Sequence, residues 1–318
     1  MPFPFLVLGE LASLAFLGGV AKSALLTGAM YVLFPELAAL AYDVFTRPAG
    51  VWARSPVMLA ITPAAAATVG TLVAQTMPYG MWSAAICIAG AMLLIRLLRS
   101  PVAPAISAAF LPLTLGVASW WYPLSIATGT GVLSLLSVAY NRTLASQIHL
   151  MPSSVTDAED DEMERTPRRY TWLPVFIAFL LLSYGLAVVT GLRLILFPPL
   201  VVIAFEMFAH AEVCLWARRP CALPLACTVT AAAGAGAILV LGAGPLSVAV
   251  AMLIGIATLR LLRLHIPPAL AVGLLPQVMP HADWHFAVAV ATGTLTLTAS
   301  FLLARPLLLR LPDALELR

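Results

Sequence analysis

Four stretches of this chain, residues 55–95, 100–141, 170–192 and 220–259, contain no Asp, Glu, Lys or Arg. A helix needs about 20 apolar residues to cross the roughly 30 Å hydrocarbon layer, so each stretch can span a membrane at least once. The longest hold two crossings, because turn signals interrupt them: "MPYGMW" from Met77 and "SWWYP" from Ser119. Hydrophobic residues make up 62% and charged residues 10% of the 318, with a mean hydropathy of +1.00. A soluble domain carries about 25% charged residues, so the chain reads as an integral membrane protein. Leu, Ala and Val recur without alternating apolar and polar positions, which favours helices over a membrane β-barrel.

The expected fold is therefore all-α and polytopic, with about 8 to 12 membrane helices, some short and broken or re-entrant. Helices are predicted at Phe5 to Val20, Ser23 to Phe45 with a break at Phe34-Pro35, Pro56 to Thr76, Met81 to Leu98, Pro101 to Gly116 and Ser119 to Tyr140, with counterparts from Leu173 onward. Glu10 interrupts the first apolar stretch and no basic region precedes it, so that stretch reads as a first helix rather than a cleaved signal peptide.

The chain resembles itself in one constant register. Trp52-Ala53-Arg54-Ser55-Pro56 matches Trp216-Ala217-Arg218-Arg219-Pro220, Arg96-Leu97-Leu98-Arg99 matches Arg260-Leu261-Leu262-Arg263, and Ala127-Thr128-Gly129-Thr130 matches Ala291-Thr292-Gly293-Thr294. With a slip of a single position, "AYDVF" ending at Phe45 matches "AFEMF" ending at Phe208. The expected organisation is a first membrane repeat over 1–142, a hydrophilic linker over 143–171 and a second repeat over 172–318. The linker carries six carboxylates between Asp157 and Glu164, followed by Arg165, Arg168 and Arg169, and reads as a solvated tether. Four or six crossings per half make the repeat parallel; five make it inverted.

Duplicated short segments broken by proline point to a substrate site between the halves. Arg54, Arg96 and Arg99 recur as Arg218, Arg260 and Arg263, and prolines that open the next helix follow two of the pairs. Arginine beside a helix N-terminus suits an anion, whereas snorkelling to headgroups is the bland alternative. Asp43 and Glu206 are matched carboxylates, candidates for proton coupling with Arg54 and Arg218 as their partners. Thr128 and Thr292, with Thr130 and Thr294, either pack helices together or line a polar pathway. Glu10 and Lys22 read as a boundary charge and a structural pair.

His281 and His285 have the spacing of two metal ligands, but no third ligand is evident, and no metal or other cofactor is expected. Cys87, Cys214, Cys221 and Cys227 form no CxxC pair. Without a phosphate loop, nucleophile elbow or HExxH, an enzyme is not expected.

The succession of a short helix ending in an aromatic, an "SP" loop, two long helices, a proline motif after a basic residue and a last helix ending in "AYNR" resembles the HPP family of integral membrane proteins. Its motif stands here as His265-Ile266-Pro267-Pro268 and as Pro101-Val102-Ala103-Pro104. Both copies depart from the His-Pro-Pro pattern, one by an inserted residue and one by lacking the histidine. The resemblance implies movement of a small, nitrite-like anion. A weaker one, to fusaric-acid-resistance and aromatic-acid exporters, implies an organic-acid substrate. The expectations are thus a multi-pass protein of a bacterial inner (plasma) membrane, with the lipid bilayer and a small anion as partners, room for a homodimer and no nucleic acid; the competing class is a membrane scaffold or complex subunit.

Overall fold

A computed structural model describes residues 3–148, 155–165, 167 and 170–310, and among them there is no strand. Arg168 and Arg169 of the linker lie outside the described residues. Eight helices are long and apolar enough to cross a membrane: α1 (Phe3–Thr27), α4 (Pro56–Thr76), α5 (Met81–Leu98), α7 (Trp121–Ile148), α9 (Leu173–Thr190), α11 (Ala222–Leu241), α12 (Pro245–Leu262) and α14 (Trp284–Arg310). Four short apolar helices accompany them: α2 (Leu37–Thr46), α6 (Ala105–Leu115), α10 (Pro198–Ala209) and α13 (Pro267–Leu274). Two small elements complete the set, the single turn α3 (Val51–Arg54) and the acidic α8 (Val155–Met163). The chain is a polytopic all-α membrane protein.

The boundaries follow local chemistry. Proline opens α4 and α12, where the first-turn N–H has no intrahelical partner to lose. At the start the sequence reading is corrected. Residues 3–27 form one helix, with no break between Val20 and Ser23, and Gly28 at φ 72° ends it by stepping into the left-handed region. The chain then makes a 3-10 turn before Phe34-Pro35, so α2 is a separate short helix rather than the end of a second span.

The long helices enclose the short ones. Every residue of α2 and α13 is buried, as is all of α6 but Leu115 and all of α10 but Ala209. α2 packs on α13 and α6 on α10, so the short helices meet across the two halves. Lipid is as apolar as leucine, so such contacts depend on close approach rather than on expulsion of water. Gly70 of α4 lies against the backbone of Ala109 in α6, and Gly234 of α11 against that of Gly273 in α13; a Cβ on either glycine would strike a carbonyl.

Residues 37–115 and 198–278 present the same order of elements: short helix, single turn, two long helices, short segment. Arg99 and Arg263, the final arginines of the two Arg-Leu-Leu-Arg sequences, are the only non-glycine residues with positive φ among those described, at 49° and 51°. Each caps its helix the same way. The N–H after Arg99 bonds to the Ile95 carbonyl at 2.9 Å, and the one after Arg263 to the Leu259 carbonyl at 2.9 Å.

Among the described residues four long helices precede α8 and four follow it; α4 and α11 start, and α5 and α12 end, at the end of the bundle where α8 sits. That end carries nearly all the described cations. Only Lys22 and Arg193 lie toward the other, where Arg193 rests 3.9 Å from the Tyr79 ring and donates to the Leu113 carbonyl.

Candidate functional site

The ends of α2 and α10 carry the charges. Asp43 and Arg47 are four apart on α2 and its cap, Glu206 and His210 four apart on α10 and its cap, so each pair shares one helix face. Asp43 and Glu206 are buried and line one small cavity, of about 10 Å³, with Arg47, Glu164, Trp52, Trp216, His265, Pro267 and Pro268. Sequence reading had singled out the two carboxylates but not Arg47, which organises the site.

Arg47 is only 8% exposed on its side chain and is held by the carboxylates of Asp43, Asp161 and Glu164. Its Nη1 donates to Asp43 Oδ1 at 2.9 Å and to Glu164 Oε1 at 3.2 Å, and its Nη2 to Asp161 Oδ1 at 2.9 Å. A guanidinium offers five donors in a planar fork, which suits several acceptors at once. His265 Nε2 lies 3.8 Å from Asp43 Oδ1 and closes the cluster from the start of α13. Trp52 Nε1 donates to the Pro101 carbonyl at 2.9 Å, whereas Trp216, which opens the second Trp-Ala-Arg sequence, has a buried Nε1 with no hydrogen-bond partner among the described residues.

The acidic segment is not a free tether. Its carboxylates dock α8 and the turn after it onto both halves: Asp161 Oδ2 accepts from Arg54 at 2.6 Å, Glu159 accepts from Arg218 at 2.5 Å, and Glu164 is buried against Arg47. Met163 is buried with them. Six carboxylates so close together disfavour an isolated packed helix, but Arg47 at the end of α2, Arg54 of α3 and Arg218 of the turn before α11 supply compensation that α8 lacks by itself.

Other expected site residues are placed elsewhere. Arg54 and Arg218 pair with α8, not with Asp43 and Glu206. Arg96, Arg99, Arg260 and Arg263 are exposed at helix ends and do not share an interior cavity. Arg96 lies over the Tyr170 ring at 5.0 Å. Arg260 Nε donates to Glu10 Oε1 at 3.0 Å, which gives Glu10 a partner other than Lys22. Thr128 and Thr292 donate to their own helices, at the Leu124 and Val288 carbonyls. Thr130 bridges helices by donating to Ala60 of α4 at 3.1 Å. Of the proline motif, Pro267, Pro268 and His265 reach the cluster; Pro101 contributes only its carbonyl to Trp52, and Pro104 caps α6.

One residue besides Arg47 also escaped the sequence reading. Glu36, preceding α2, is 1% exposed, and neither carboxyl oxygen has a hydrogen-bond partner among the described residues. The i, i+4 spacing of Asp43-Arg47, echoed by Glu206-His210, was the available signal for Arg47; Glu36 had none, since its place in the other half is taken by Pro199. Near the opposite loop, His285 Nδ1 lies 2.8 Å from Asp283 Oδ2, and no group of three metal-ligating side chains occurs among the described residues. Comparison with protein-family models, with curated proteins and with solved structures finds no match to this chain.

Proposed function

We propose that this protein is a membrane transporter for a small anion, built from two duplicated halves and held closed by its acidic linker. The observation that carries the reading is the cluster of buried Asp43, Arg47, Glu164 and Glu206, where α2 and α10 end, closed by half-buried His265. Ionisable groups inside a membrane bundle are costly and by default mark a path for ions or protons. In this reading the Asp161 and Glu164 carboxylates occupy on Arg47 the positions an anionic substrate would take. Withdrawal of α8 frees Arg47, Arg54 and Arg218 together, and the N–H of Trp216 adds a neutral donor. Glu36, buried without a cation beside it among the described residues, is a stronger candidate for a proton carrier than Asp43, whose charge Arg47 balances.

The resemblance to HPP proteins suggests nitrite-sized substrates; the exporter resemblance suggests aromatic or organic acids. The test is uptake by proteoliposomes of nitrite, comparably small anions and benzoate. Expected is uptake above empty vesicles, its loss in Arg47→Gln, and an increase in the triple variant Glu159→Gln, Asp161→Asn, Glu164→Gln. Uptake no faster than empty vesicles for every anion, in the parent and in the triple variant, would reject transport. It would favour a non-transport scaffold, a reading supported by the surface position of Arg96, Arg99, Arg260 and Arg263 and the closed interior.

A further inference from the structure

The two halves differ most where a long helix from one lies along a long helix from the other. On one side α1 runs antiparallel to α12, from the Glu10–Arg260 ion pair at one end to Leu25 against Gly244 at the other. On the other side α9 lies beside α5, but a groove of about 560 Å³ separates them. Its walls are apolar, with Ala85, Ile88 and Met92 on α5 facing Phe176, Leu180 and Tyr184 on α9.

The electrostatics differ at the same place. Arg260 is neutralised by Glu10, whereas Arg96, the matching arginine of the first half, has no carboxylate partner among the described residues. Leu173, which takes the place of Glu10 in the register that aligns "AYDVF" with "AFEMF", stands at the start of α9 and lines the groove. From Met92 the groove continues into a smaller hollow of about 140 Å³ lined by Ile95, Arg96, Tyr170 and Trp172. Among the described residues this side therefore lacks both things that α1 supplies on the other: an apolar filler and an anion at its end.

We propose that the α5–α9 groove is a binding site for an anionic glycerophospholipid, one acyl chain lying between the helices and the phosphate meeting Arg96. Arg96 to Ala85 spans about 17 Å of helix, close to the roughly 15 Å of one hydrocarbon leaflet through which an acyl chain would run from a phosphate at Arg96. Tyr170 and Trp172 stand at the level where aromatic rings meet headgroups. The site is independent of what the protein transports.

The test is native mass spectrometry of the full chain, delipidated in detergent and titrated with phosphatidylglycerol or phosphatidylcholine. Phosphatidylglycerol should bind about fivefold more tightly, the equivalent of about 1 kcal/mol for one arginine near a headgroup. Arg96→Ala should bring it to the phosphatidylcholine level, while Arg99→Ala, outside the groove, should leave the preference intact. Ala85→Phe with Ala89→Phe, both on the exposed groove face of α5 and away from the core, should remove both adducts. Equal binding of the two lipids, an unchanged preference in Arg96→Ala, or retention of the adduct after the groove is filled would each overturn the proposal. So would displacement by glycerol 3-phosphate alone, which would show a site for the free anion, or a dimer that forms in place of lipid adducts, which would show a second copy covering the groove.

Discussion

Arg47→Ala isolates the energetic role of the cluster. In the folded protein this guanidinium faces Asp43 and Glu164, whose side chains are 1% and 4% exposed, and Asp161 at 25%. Truncation leaves two carboxylates buried without their cation, and breaking a buried pair in this way costs about 3–5 kcal/mol. Arg54→Ala is the matched control. Arg54 is 59% exposed and shares Asp161, so its loss should cost no more than about 1 kcal/mol. Unfolding by SDS in mixed micelles, followed by tryptophan fluorescence, measures both. Adding Asp43→Asn and Glu164→Gln to Arg47→Ala removes the uncompensated charges and should recover most of the loss, because the three residues act as one network. If Arg47→Ala costs as little as Arg54→Ala, or if neutralising the carboxylates recovers nothing, the cluster is not the buried electrostatic centre of the bundle.

Three other outcomes are expected. Gly70→Ala and Gly234→Ala should each destabilise the bundle by about 1–3 kcal/mol through overpacking, whereas Gly18→Ala and Gly19→Ala, with nothing within 4 Å of an added Cβ, should cost nothing in the same SDS titration. The arginine-rich end should face the cytoplasm; Cys221, the one exposed cysteine among the four and located at that end, should react with an impermeant maleimide in inverted vesicles and not in intact cells. Burial pushes His210, at the end of α10 beside the linker, down from 6.5 to about 4. The unfolded chain then takes up this proton first, so stability should fall as pH drops from about 6.5 to about 4 and should lose nothing more through this group below that. His210→Gln should flatten that part of the unfolding profile.

Membrane helices were legible because their signal is local. The Pro56–Thr76 and Met81–Leu98 boundaries agree with the structure to the residue, since proline, glycine and the first flanking charge mark each end within a turn. The first span was misread. It is read as ending at Val20 with a second helix from Ser23, yet the helix runs unbroken to Thr27 and ends at Gly28. Matched arginines were visible too, but their roles were not. Arg96 and Arg260 occupy matching positions in the repeated sequence, and whether each meets a tyrosine ring or a carboxylate depends on a distant part of the chain, Tyr170 just before α9 or Glu10 on α1.

By itself the sequence determined that this chain is a bundle of apolar helices in a bilayer, because length, absence of charge and proline placement act along the chain. It also marked Asp43 and Glu206 as charges too costly to be incidental. Only the tertiary structure decided which cations meet them. Arg47 joins Asp43 through a helix turn, but it joins Asp161 and Glu164 from a segment far along the chain. Likewise, the linker reads as solvated along the chain, until the fold brings Arg47, Arg54 and Arg218 against Glu159, Asp161 and Glu164 at one end of the bundle. Electrostatic compensation acts through space, and in this protein its partners come from distant parts of the chain.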